Sequence, residues 1–190
     1  MGNDSSRSVE IRDSVRFLTV TSRVLGFALL LALSAKAGFP IPGSPVPVTL
    51  QVMAVLGAGA FLGPWGGVAA VSVYLLSGVA GAPVFAMGGG PAYLLGPTGG
   101  YLLGFLPAAC VAGFLAGRAR GFWSLAFGFL AAVGVIHLSG WAQLSAWGGP
   151  GEAFRMGVAP FVALDLLKAF LLAGIVRSYR SRSSRMRPRS

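Results

Sequence analysis

The sequence predicts an all-α integral membrane protein with six transmembrane helices, and three observations predict it. Of its 190 residues 55% are hydrophobic and only 11% charged, with a mean hydropathy of +0.75. That is too much apolar chain for one soluble core. The apolar residues fall in stretches parted by glycine- and proline-rich turns, several of them long enough to cross a bilayer. The net charge of +10 comes almost entirely from arginines outside those stretches. Basic residues at segment ends are how membrane helices are oriented, and this placement argues against nucleic acid as a partner.

Residues 1–16 read as a polar cytoplasmic leader of mixed charge, long enough for a short interfacial helix. The first span runs from about Phe17 to Ala37. Its Ala35-Lys36-Ala37 mimics a signal-peptidase site, but the apolar run before it is longer than a signal peptide's core, so the span is retained. Ala28 and Ala32 within it form a small-xxx-small pattern that admits another helix closely. Residues 38–47 hold four prolines in ten positions and form a stiff apolar loop that is not helical through its length. The second span, Val48 to Leu62, and the third, Val68 to Val79, flank a tight turn at Gly63-Pro64-Trp65-Gly66-Gly67. Both are short for a bilayer of ~30 Å, so their loops dip inward or the membrane thins locally.

The connection from Gly81 to Pro97 carries three consecutive glycines and three prolines. Phe85, Met87, Tyr93 and Leu94 suit free solution poorly, so this loop folds back over the protein. The fourth span, Thr98 to Ala116, contains Gly100-xxx-Gly104 and overlaps Gly113-xxx-Gly117, both suited to close packing. After Arg118-Ala-Arg120 comes the fifth span, Phe122 to Trp147, with His137 and Gln143. Residues 148–156 form a turn into the sixth span, and residues 179–190 a basic, unstructured cytoplasmic tail. Spans and loops together make one six-helix domain over residues 17–178. The leader, the Arg118–Arg120 turn and the tail hold most of the arginines, which places both termini in the cytoplasm and the three glycine- and proline-rich loops outside.

The sixth span carries the decisive feature. Asp165 and Lys168 lie inside it at i and i+3, on one helix face. Its eleven Val, Leu, Ile and Phe residues favour insertion by roughly 3 to 6 kcal/mol, and the two charges oppose it by roughly 5 to 7 kcal/mol. The helix therefore needs a polar interior supplied by its neighbours. Asp165 is about 12 Å below Gly157 at 1.5 Å per residue. Thr49, Gln51 and His137 converge on the same outer half, which is the geometry of a pocket open outward and lidded by loops. The pair is either a functional site or helix glue that satisfies itself.

Chemistry narrows the choice. The polar inventory within the membrane is Thr49, Gln51, Tyr74, Thr98, Tyr101, His137, Gln143, Asp165 and Lys168. No Gly-Lys-Ser/Thr nucleotide loop occurs and there are only two lysines, so the chain is not its own ATPase. One histidine and one cysteine are poor material for a metal site. His137 and Ser139, two residues apart on one helix, diverge and cannot act as base and nucleophile. The chain is read as no enzyme, with no cofactor and no metal.

Four motifs taken together closely resemble the BioY family, the biotin-binding S components of energy-coupling-factor (ECF) transporters. They are Pro45-Val-Pro-Val-Thr-Leu-Gln51; Gly81-Ala-Pro-Val-Phe85 with the following glycines; Gly96-Pro-Thr-Gly-Gly-Tyr-Leu-Leu-Gly-Phe105; and Asp165-Leu-Leu-Lys168. The resemblance spans about Ala28 to Ile175. It implies an S-component-like bundle with biotin as substrate in the cytoplasmic membrane of a bacterium. It also implies partners: a transmembrane coupling protein and two cytoplasmic ATPase subunits, with membrane lipid around them. Ala28 and Ala32 resemble the surface on which S components dock. Asp165, Lys168, Gln51, Thr49, Tyr93 and His137 are the candidate substrate contacts, Asp165 accepting from ureido N–H and Lys168 donating to a carbonyl or carboxylate. Met87 and glycines stand where some members place polar contacts. Two other classes stay open: a secondary transporter relaying protons through Asp165 and His137, and a non-transporting assembly protein.

Overall fold

The computed structural model describes residues 3–185, with side chains over residues 10–183. Chain order is α1 (Asn3–Lys36), β1 (Gly38–Phe39), β2 (Val48–Thr49), α2 (Gln51–Val79), α3 (Pro91–Leu95), α4 (Gly99–Arg118), α5 (Phe122–Gly157) and α6 (Ala159–Arg185). Helix is the natural outcome for such sequences, because lipid leaves every backbone N–H and C=O to be paired within the chain. Among the described residues five helices are long and apolar enough to cross a membrane.

One of the five is two rods. At Gly63 the backbone turns to φ 79°, ψ 175°, a conformation that glycine reaches readily. Pro64 then opens the second rod, where its missing N–H costs nothing. Beyond the turn the chain runs back on itself: a Cβ on Gly67 would lie 2.8 Å from Gly59 Cα. Along a straight helix those residues would stand about 12 Å apart. Residues 51–62 and 64–79 are thus antiparallel neighbours, and the bundle has six apolar rods in agreement with the sequence. The first of them is only about 18 Å long. The loop before it packs onto the bundle, since Val46 and Val48 of the short β1–β2 hairpin are buried.

A second reversal, at Gly149 (φ 80°), sits inside α5. The stretch 148–156 is expected as a turn, but residues 150–157 are helical and fold back along the end of α5. Trp141 Nε1 donates to Pro150 O at 3.0 Å, and a Cβ on Gly157 would meet Leu144 Cδ2 at 2.6 Å. α2 packs against α1, α4 and α6, while α5 lies between α4 and α6. Glycines on α4 allow this: Gly100 and Gly104 face Ser139 of α5, and Gly113 abuts the Gly63–Pro64 turn. Gly117 meets nothing, so the second glycine pair packs at one end only.

Three expectations need correcting. α1 is continuous from Asn3, so the leader is no separate element as far as it is described. The arginine-rich end is not unstructured: α6 continues to Arg185, and Arg180 donates to the carbonyls of Ala116 and Ala119 at the end of α4. Residues 186–190 lie outside the described residues. Finally, Ala28 points into the bundle, 7% exposed, in line with Leu31 and Ala35. Ala32 is only half-buried at the edge. The open face of α1 instead carries Leu25, Leu29, Leu30 and Leu33, because a helix apolar on every side does not reveal from its pattern which side turns in.

Candidate functional site

α6 brings Asp165 and Lys168 into the bundle one turn apart, with 3% and 9% of their surfaces exposed. Lys168 Nζ donates to Asp165 Oδ1 at 2.8 Å and to the backbone carbonyl of Thr49 at 2.7 Å. The second bond ties the middle of α6 to β2. The other carboxylate oxygen, Oδ2, lies 3.0 Å from His137 Nε2 of α5. It lies off the N–H axis, so the close contact is not a hydrogen bond, and both buried ring nitrogens of His137 lack an aligned partner. Buried polar groups left in this state are expensive. Here they face a cavity, where a ligand can satisfy them.

That cavity has a mostly apolar wall with a few convergent polar groups, the make-up of a small-molecule site. All six residues singled out as substrate contacts line it: Thr49, Gln51, Tyr93, His137, Asp165 and Lys168. Gln51 is held by its neighbours, donating through Nε2 to Tyr74 Oη at 2.7 Å, while Thr49 Oγ1 donates to Oε1 over a long 3.4 Å. Most of the remaining wall is apolar, including Phe105, Ile136 and Phe161. Tyr101 adds a ring over His137 and donates its hydroxyl to Gly157 O at 2.7 Å. That bond pins the folded-back end of α5 beside the site.

The loop after α2 covers the cavity, and its anchor is Phe85. The ring is fully buried and fills a notch left by Gly78, where any side chain would collide with it. It meets Tyr74 edge-on at 5.5 Å and Tyr93 at 5.0 Å between centroids. Lys36 Nζ, from the end of α1, donates to Phe85 O at 2.7 Å. Gln143 Nε2 holds the following segment by bonding the carbonyls of Leu94 and Gly96 at 2.9 and 2.7 Å. Met87, expected to be sheltered, is 72% exposed at the tip. Sequence reading placed the polar wall and had Phe85 fold back over the protein, but it missed the prop behind it, Lys36; a lysine ending an apolar span was the available signal. Among the described residues Asp165 and His137 have no third His, Cys, Asp or Glu beside them. The arrangement offers donors and acceptors for recognition, with no nucleophile set against a base.

The model of the BioY family matches residues 6–185. The chain belongs to the BioY family. It is 44% identical over 146 residues to a probable biotin transporter BioY of Pyrococcus horikoshii, covering 75% of this chain and 86% of that one. It is 41% identical over 150 residues to the biotin transporter BioY of Thermotoga maritima, covering 77% and 87%. Among solved structures it superimposes on the S component for biotin from an ECF-type ABC transporter with a TM-score of 0.79. The two are 27% identical over 87% of this chain and 93% of that one. This BioY-family chain is thus a multi-pass membrane protein of a transporter and not an enzyme.

Proposed function

We propose that this protein captures biotin from outside and delivers it as the S component of an ECF transporter. The observation that carries the reading is the buried Asp165–Lys168 pair, which leaves carboxylate and ammonium capacity facing a lidded cavity in a family whose relatives are named biotin transporters. Asp165 accepts from a ureido N–H, for which His137 already presses against Oδ2 without a true bond. Lys168, with two donors engaged, turns the third to the ureido oxygen. Thr49 and Gln51 contribute the polar flank, and Tyr93 with the Phe85-anchored loop covers the thioether ring.

Energy comes from partners, because the chain has no nucleotide loop: a transmembrane coupling protein and two cytoplasmic ATPase subunits. Both termini and the Arg118–Arg120 turn face the cytoplasm. Docking runs along the open face of α1, with Ala32 at its margin; Ala28 supports that helix from behind. The test is mass spectrometry of the small molecule retained by detergent-purified protein. Biotin in stoichiometric amount is expected, and a different ligand would reject the reading. Cytoplasm-only fluorescent fusions to both ends should light up; a dark C-terminal fusion would overturn the orientation.

One observation favours a second role for the pair. The Lys168 bond to the Thr49 carbonyl is a structural strut between α6 and β2. Helix glue and ligand contact therefore coexist in one residue, and the variants discussed below separate them.

A further inference from the structure

The deep end of the cavity is charge-neutral: Lys168 is matched by Asp165 at 2.8 Å, and no other lysine or arginine lines the wall. A carboxylate-bearing ligand would bring an uncompensated negative charge into a region of low dielectric. The fold places one further cation at the rim. Lys36 Nζ bonds the carbonyl of Phe85 at 2.7 Å, and the next residue, Ala86, lines the cavity. Two residues after Lys36, Gly38 pairs with Thr49, another lining residue. The ammonium thus stands where the two outer loops meet. Among the described residues no carboxylate pairs with it: the recorded acid–base contacts are His137–Asp165, Arg155–Glu152 and Lys168–Asp165. An ammonium has three donors, and Phe85 takes one.

We propose that Lys36 is a specificity-determining residue, whose ammonium binds the carboxylate of the ligand's tail while Asp165 and Lys168 hold the neutral ureido head. This rests on the biotin reading and adds to it an orientation: head inward, tail at the rim, with acids preferred over neutral analogues. Lys36 also holds the covering loop, so its loss weakens every ligand. The charge contribution shows only in the ratio between ligands.

The experiment measures competition of biotin and its primary amide against labelled biotin, for the full-length protein in detergent. Wild type should prefer the acid by about two- to fivefold, as for a partly exposed ion pair, and the preference should shrink as salt rises. Lys36→Met should weaken both ligands and bring the ratio close to one, while Lys36→Arg should keep the preference. A wild-type ratio near one, or an unchanged ratio in Lys36→Met, overturns the proposal while leaving biotin capture intact. Failure of wild type to bind either compound removes the biotin reading, and this inference with it.

Discussion

Two acid–base pairs of identical spacing lie thirteen residues apart in this chain. Glu152 and Arg155 meet at 3.0 Å on the folded-back end of α5, and Asp165 and Lys168 meet at 2.8 Å on α6. Local geometry is nearly the same, with the acid first and the base three residues on. Surroundings are not: the first pair has side chains 48% and 76% exposed, the second 4% and 11%. In water such a contact is screened and costs little to lose. In the interior each partner is the main thing keeping the other's charge tolerable. Spacing makes a pair possible; burial makes it matter.

The largest expected effect comes from breaking the buried pair at its cation. Lys168→Met strands Asp165 and removes the bond to Thr49 O, which should cost about 3 to 5 kcal/mol of stability and abolish high-affinity biotin binding. Thermal unfolding in detergent with a binding assay would check both; a variant as stable as wild type would mean that Asp165 is neutral or finds another partner. Asp165→Asn should be the next largest. It keeps the shape but loses a charge-assisted acceptor, lowering biotin affinity by about ten- to hundredfold. Combining the two substitutions sharpens the comparison: helix glue alone predicts recovery of both stability and affinity, whereas direct contact predicts recovery of stability only.

Smaller effects test the flank and the exposed pair. Tyr74→Phe removes the acceptor of the Gln51 amide and should cost about 1 kcal/mol, read as a modest loss of thermal stability with little change in affinity. Glu152→Gln should change stability by less than about 1 kcal/mol and leave biotin binding untouched. A large effect there would show that the folded-back helix reports on the cavity through Tyr101 and Gly157.

The same contrast explains what could be read from the sequence. Polar side chains inside apolar runs are conspicuous, so Thr49, Gln51, His137, Asp165 and Lys168 stood out, and the structure brings all five to one cavity. Gly63-Pro64 announced its turn. The Thr49 carbonyl that receives Lys168 was invisible, since every residue has a carbonyl and only the fold says which is free. Lys36 showed only as part of a signal-peptidase look-alike at a helix end, because its partner is a backbone oxygen 49 residues away. Ala28 was assigned outward on a pattern that fits either side of an all-apolar helix. At Gly149 the turn was legible but the helix beyond it was not, for residues 150–157 are held by contacts with Trp141, Tyr101 and Leu144 that no local pattern encodes.

The Phe85 ring seated in its notch at Gly78 has a kinetic consequence. Drawing a fully buried phenylalanine into water costs about 1.5 to 3 kcal/mol, so the loop stands open for about one part in ten to one part in a hundred of the time. Capture from dilute solution is slowed by that fraction, and escape is slowed with it. The anchor therefore lengthens the residence time of a molecule already inside the cavity.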